Sequence, residues 1–435
     1  MSLLRFKIQD YHAIKSADIK IDGITVLAGE NGSGKSTLSR WIYYLINSMV
    51  RFEDYCLSTL YSELYGELRR FIRLSSDWRY RESIYRIEKK YHFNGDEFKS
   101  YLYQVVLSLK DSVVTLLNND NTVITRKRIL FLIGKEDMAD LDNMDNVRLE
   151  EAISDYFEHF IQEYTNKYYQ TKSRIAEKNY KDLYEAIANT YNTSDDFPRI
   201  FTLFEKEESL FVDNTFLEPY FFNKVIYIDA SIPTPDGDRP DADVIGNKTR
   251  DLILSSLSKE LDQNAQKILL RMQRIINGSI VLKESEALYH SKELRYARRD
   301  GLDIPLRSAA SGIQAIAYLY RLLESGVLDA NTLLLVDEPE THLHPQWVVE
   351  YANILVSLQK EMGVKIVIAS HSPDMVSAIE TISRRHQLEN QTRFYQARQE
   401  SDMKYVFDDL QNNIAGIFES FNVAFSKMQD YGADL

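Results

Sequence analysis

A single cysteine, Cys56, leaves this chain unable to form an internal disulfide and fits a reducing, cytoplasmic setting. Proline is scarce, at nine residues in 435, and glycine contributes only sixteen, which permits long uninterrupted helices. No apolar run approaches the ~20 residues needed to span a bilayer, and the run Ile129–Ile133 reads as a buried strand or helix turn. The first ten residues lack the apolar stretch of about 7–15 residues that a signal peptide needs. No membrane contact is therefore expected. Positive charge is also short: 52 Lys and Arg against 65 Asp and Glu leave a net charge of −13. Each phosphate contact to duplex DNA needs a cation, so any nucleic-acid contact is expected to be local.

What is present points to an α/β protein. Leu3–Ile8, Ala17–Ile21 and Ile24–Ala28 read as strands, the third running into a glycine-rich loop, and Thr37–Met49 follows as a helix. Beyond Lys224–Asp229, helix and strand alternate through Gly312–Glu324, Thr332–Val336, Pro345–Lys360 and Lys365–Ala369, the pattern of a mainly parallel sheet with flanking helices. Between these parts the character changes to long helices rich in tyrosine and charge. Leu149, Ile153, Phe157, Phe160, Tyr164 and Tyr168 recur at helical spacing, a stripe that suits the core of an insertion or a partner-docking face. Residues 1–51 and 196–390 are thus expected to form one nucleotide-binding domain, 52–195 a helical insertion, and 391–435 a tail of two strands and a helix, Asn412–Gln429. Asn247–Ile276 reads as one further helix.

Three segments carry chemistry. Gly29-Glu30-Asn31-Gly32-Ser33-Gly34-Lys35-Ser36 fits G-x-x-x-x-G-K-[ST] between a strand and a helix, with Thr37 next in line. Glycines let backbone N–H groups curl around phosphates, Lys35 supplies a cation, and the Ser36 hydroxyl suits Mg²⁺. Thr332–Glu338 is an apolar strand ending in two acids: Asp337 suits Mg²⁺, and Glu338 suits polarising an attacking water. Ser311-Gly312-Ile313-Gln314 opens a helix, where a hydroxyl, amides and the helix dipole make a second anion site or an ordinary serine cap. One protomer has no need of two triphosphate sites, so Ser311 and Gly312 are expected to cap the ATP of a second copy. His371 follows a strand's carboxyl end, where a neutral imidazole reaches a γ-phosphate. His342 and His344 lack companions for a metal site.

Together with Asp337-Glu338-Pro339-Glu340-Thr341-His342-Leu343-His344-Pro345 and Ser370-His371-Ser372-Pro373, these motifs resemble the ABC ATPases of the SMC, RecF and OLD group over roughly residues 1–50 and 224–390. The resemblance implies an ABC-type P-loop domain that binds ATP and Mg²⁺. It also implies Walker A roles for Lys35 and Ser36, Walker B roles for Asp337 and Glu338, a signature in trans at Ser311 and Gly312, a D-loop at Thr341–His344 and a switch histidine at His371. Ile313 replaces the signature's second glycine, and Asp229-Ala230-Ser231 stands where a Q-loop glutamine is expected. OLD nucleases add a Toprim domain, for which the roughly sixty residues after the switch region are too few. The organisation is similar to ATPase subunits of anti-phage systems such as Septu and PARIS, implying a homodimer or larger homo-oligomer that controls a separately encoded effector nuclease. The alternative is a RecF/SMC-like DNA-binding ATPase. It draws on the basic, aromatic stretch Arg69–Lys90, which also suits a solvated helix face.

Overall fold

A computed structural model describes residues 3–75, 95–134, 145–193, 197–229, 244–255, 261–284, 292–341, 343–411 and 414–421. It divides into two compact units, Met1–Val50 with Ile187–Leu435, and Arg51–Ala186. The second unit ends short of residue 195, because the last residues of the helix Tyr180–Tyr191 pack with the first. Tyr191 stacks on Tyr44 at 4.1 Å between ring centroids and accepts a 2.7 Å hydrogen bond from Asn47, both on the helix Lys35–Val50.

The first unit is built on a ten-stranded sheet. Its strands are β1 (Leu4–Tyr11), β2 (Ile14–Ile21), β3 (Ile24–Ala28), β4 (Ile200–Glu205), β5 (Glu208–Ser209), β8 (Lys224–Asp229), β12 (Thr332–Asp337), β13 (Lys365–Ser370), β14 (Thr392–Ser401) and β15 (Lys404–Gln411). A two-stranded ribbon, β6 (Phe211–Val212) with β7 (Thr215–Phe216), and a three-stranded sheet, β9 (Gly278–Glu284), β10 (Lys292–Arg298) and β11 (Asp303–Pro305), stand apart from it. The order in the main sheet is β5-β4-β1-β2-β15-β14-β3-β13-β12-β8. From β14 to β8 all pairings are parallel, while β5, β4, β1 and β2 pair antiparallel. The fully buried runs β3 and β12 belong to the parallel part, as their continuous apolar sequence requires. β1 and β2 instead alternate buried and exposed positions. The expected class, a mixed P-loop sheet with flanking helices and a helical insertion, is what the chain adopts.

The two strands and helix expected from residue 391 form, and the strands belong to the main sheet: β15 pairs with β2 and β14 with β3, joining the antiparallel and parallel halves. Phe394, Tyr395, Ala397 and Phe407 are buried there, which is the apolar surface that draws this hairpin inward. Only Ala415–Phe421 of the tail helix lies within the described residues. Asn247–Ile276 forms two helices, Val244–Ile253 and Gln263–Ile275, the second capped by the Asp262 side chain at the Ala265 N–H.

The second unit is helical: Phe52–Ser75, Gly95–Asn119, Val123–Leu132 and Asn146–Glu177 enclose their own core. The stripe Leu149, Ile153, Phe157, Phe160, Tyr164 and Tyr168 is buried inside it, with Tyr168 stacked on Phe98 at 4.4 Å, so it is core rather than a docking face. Cys56 is buried too, and burial pushes its thiol up to about 11, which keeps it protonated and unreactive. Of the basic stretch Arg69–Lys90, Arg69 and Arg70 are exposed on their helix, and Arg70 pairs with Glu67 at 3.1 Å; Arg79 through Lys90 lie outside the described residues. No described helix is long and apolar enough to cross a membrane.

Candidate functional site: a phosphate loop facing two acids and a histidine

The parallel strands end side by side, and each delivers chemistry at its carboxyl end, where α/β sheets bind ligands. β3 leads into Gly29, β8 ends in Asp229, β12 in Asp337, and β13 in Ser370, with His371 next in the chain. The register places Asp337 opposite Asp229 on one side and Ala369 on the other.

The loop after β3 depends on its glycines. Gly32 and Gly34 have φ of 80° and 94°, a region that side chains disfavour, and a Cβ at Gly34 would stand 2.8 Å from Ile14 Cγ1. Lys35 is buried and turned back on the loop, donating to the carbonyls of Gly29 (2.8 Å) and Glu30 (2.7 Å). Burial holds its ammonium below the usual lysine range, opposed by the carboxylates of Glu338 and Asp337. Its acceptors are weak partners for a buried cation, and a phosphate offers a stronger one. His12, Ala13, Asn31, Gly32, Gly34, Lys35, Ser36, Thr37 and Glu338 line a cavity of about 360 Å³ over this loop, within the size range of small-ligand sites. Gly29 and Ser33 lie beneath it, with Ser33 buried and its hydroxyl 3.4 Å from Lys35 Nζ.

Ser36 Oγ donates to Asp337 Oδ1 at 3.0 Å, and the Tyr227 hydroxyl donates to Asp337 Oδ2 at 2.8 Å. Burial raises the Asp337 carboxyl above its ordinary range, and these two donors pull it back toward the ionised form. Arg40 lies 3.5 Å from Asp229, and burial suppresses the ionisation of the Tyr227 phenol. Two hard oxygens so placed fit Mg²⁺, which takes one or two protein ligands and completes its shell with water and phosphate. Among the described residues no group of three or more His, Cys, Asp or Glu forms a separate metal site. His344 instead caps the helix Pro345–Met362, while His342 lies outside the described residues.

Glu338 sits at φ 48°, a left-handed conformation costly for a residue with a Cβ. The turn is locked by Glu338 N–H to Ala369 O (2.8 Å) and Thr341 N–H to Glu338 O (3.0 Å). His371 Nδ1 is 3.7 Å from Glu338 Oε1 and 3.3 Å from Glu340 Oε1. Lys35, Ser36 and Glu338 line one opening, Asp337 joins it through the Ser36 hydroxyl, and His371 Nδ1 stands 3.7 Å from Glu338. Ser311 lines a neighbouring cavity of about 130 Å³ with Asp229, Gln314, Asp337, Pro339 and Thr341, and Gly312 packs on Trp347. Ser311 is the first residue of its helix rather than the cap, which is Ala310 without a side-chain bond. Tyr227, Glu340 and His12 were not singled out from sequence. A buried tyrosine inside an apolar strand was the available signal for the first, since its hydroxyl needs a partner.

The profile described as "AAA ATPase domain" matches residues 1–376. The chain is similar to the energy-coupling factor transporter ATP-binding protein EcfA2 of Clostridium perfringens (strain SM101 / Type A), at 30% identity over 105 residues, 24% of this chain and 36% of that protein. It therefore spans only about a third of that relative's length. Among solved structures it is similar to the Smc head domain of Pyrococcus furiosus bound to the C-terminal domain of ScpA (11% identity, 98% of each chain, TM-score 0.36). Another is the SMC head domain from Thermotoga maritima (8% identity, 94% of this chain and 99% of that one, TM-score 0.36).

Proposed function

The chain belongs to the AAA ATPase domain family, and on that premise we propose that it is an ABC-type ATPase working as a dimerisation switch. One observation carries the reading: Lys35, Ser36 and Glu338 line one opening and Ser36 bonds Asp337, whereas Ser311 lies on a neighbouring cavity whose wall Asp337 shares. A nucleotide's phosphates displace the Gly29 and Glu30 carbonyls as partners of Lys35. Ser36 and Asp337 would hold Mg²⁺, which supplies charge neutralisation at the β- and γ-phosphates. Tyr227 keeps Asp337 aimed at Ser36. Glu338 orients and deprotonates the attacking water, its position fixed by the strained turn. His371 attends the γ-phosphate. Ser311 and Gly312 complete the site of a second copy, so ATP binds the paired state more tightly than the separate one, and hydrolysis releases it.

The finer reading is that the pairing controls a separately encoded effector, a nuclease in anti-phage defence, through the unit Arg51–Ala186. That unit has its own core, and the described residues that line the opening over the loop all belong to the first unit. A RecF/SMC-like role on DNA is the alternative; its support, the exposed Arg69 and Arg70, is also satisfied by an ordinary solvated helix. Lys35→Ala tests the ATPase reading. Nucleotide affinity and turnover are expected to vanish, and near-native affinity in this variant contradicts the assignment.

A further inference from the structure

Behind His371 lies an acid that the ATPase reading leaves without a task. Glu340 is buried, with only 6% of its side chain exposed. Its Oε1 accepts from Ser370 Oγ at 2.8 Å and from the His371 backbone N–H at 2.9 Å. Its Oε2 is buried and without a hydrogen-bond partner. The His371 ring is 37% exposed, yet its Nδ1 is buried and likewise without a hydrogen bond, although 3.3 Å from Glu340 Oε1. That separation suits an ion pair, but the angle is off-line for a hydrogen bond. A buried imidazole nitrogen without a hydrogen bond, 3.3 Å from a buried carboxylate, calls for an explanation. Such bonds commonly tighten when a site closes on its ligand.

We propose that Glu340 is the positioning residue for His371, holding the imidazole with its proton on Nδ1 and its Nε2 edge turned outward. The inference rests on the assignment of His371 to the nucleotide site. A carboxylate only accepts, so the nitrogen facing it carries a proton in either charge state of the ring. The neutral ring then shows a lone pair at Nε2, and a phosphate oxygen there would set two acceptors against each other. A ring with a donor at each nitrogen would bridge Glu340 and the terminal phosphate. Glu338 is farther from Nδ1, at 3.7 Å, and its Oε2 accepts from the Thr341 hydroxyl at 3.4 Å. The two acids of this segment thereby divide the work: Glu338 serves the water and Glu340 serves the histidine.

The test reads the tautomer directly in nucleotide-free protein, so its failure is distinguishable from failure of the ATPase reading. Side-chain ¹⁵N–¹H spectra, with His371 assigned by its absence in His371→Ala, are expected to show the Nδ1-protonated form. Glu340→Ala is expected to shift the ring toward the Nε2-protonated form and to lower kcat about 10- to 100-fold, the scale for residues that orient a site histidine, with KM for ATP unchanged. Glu340→Gln keeps an acceptor oxygen and is expected to retain the tautomer and most of kcat. An Nε2-protonated ring in the wild type overturns the proposal, and that measurement stands even if Glu340→Ala does not fold. An unchanged tautomer in folded Glu340→Ala also overturns it, whatever happens to kcat, because Glu340 would then support only the Ser370–His371 backbone.

Discussion

Tyr227→Phe isolates the one buried donor that the site borrows from outside its recognised motifs. The ring remains, packed 5.8 Å from Tyr43, and only the hydroxyl that donates to Asp337 Oδ2 at 2.8 Å is lost. A hydrogen bond to a charged acceptor is worth about 1.5–3 kcal/mol. The lower end applies here, because Ser36 still donates to Oδ1 and Asp337 keeps one partner. At about 1.4 kcal/mol per factor of ten, the midpoint for Mg²⁺ in nucleotide binding should rise roughly tenfold. The loss has a second signature. Burial already raises the Asp337 carboxyl and the phenol lowers it, so removing the phenol raises it further. Metal-dependent binding should then fail at a higher pH than in the wild type as the solution is acidified. The assay is a titration of Mg²⁺ with a fluorescent ATP analogue across pH, paired with the same titration in chelator. Affinity without metal should be unchanged. An unmoved Mg²⁺ midpoint, or an equal loss in chelator, refutes the claim that Tyr227 acts through Asp337.

Glu338→Gln should keep ATP bound while turnover falls about 10²- to 10⁴-fold, the usual contribution of a general base, and ATP-bound pairs should accumulate on size exclusion; turnover within tenfold of wild type places the base elsewhere. Gly34→Ala forces a Cβ to within 2.8 Å of Ile14 Cγ1 at φ 94°, so nucleotide binding should be lost with a stability cost of about 1–3 kcal/mol by chemical denaturation. Normal binding by that variant shows that the loop tolerates what its geometry forbids.

What the sequence made legible is local. A P-loop is contiguous, and its spacing alone prescribes the turn; an apolar strand ending in Asp337 and Glu338 advertises its own burial and exit. The long-range pairing was hidden. Nothing in Thr392–Gln411 tells that these strands slot between β2 and β3, because alternation reports which face is buried and not which neighbour lies alongside. Tyr227 escaped for a similar reason: its link to Asp337 depends on β8 lying in register beside β12, a fact of the assembled sheet. Glu340 was in plain view within the acidic motif, but only burial separates its environment from that of Glu338. The helical stripe from Leu149 to Tyr168 fits both core and docking face until the neighbouring helices are in place.

Each ATP is expected to be completed by a second copy of the chain. Ser311→Arg puts bulk and charge where the partner's nucleotide should lie and leaves its own P-loop intact, whereas Lys35→Ala disables the P-loop and leaves Ser311. Each variant alone should be inactive. Mixed, they form pairs in which one interface joins an intact P-loop to an intact Ser311, and ATP turnover should return to a fraction of the wild-type rate. No recovery, with heterodimers demonstrated by differential tagging, contradicts the shared site.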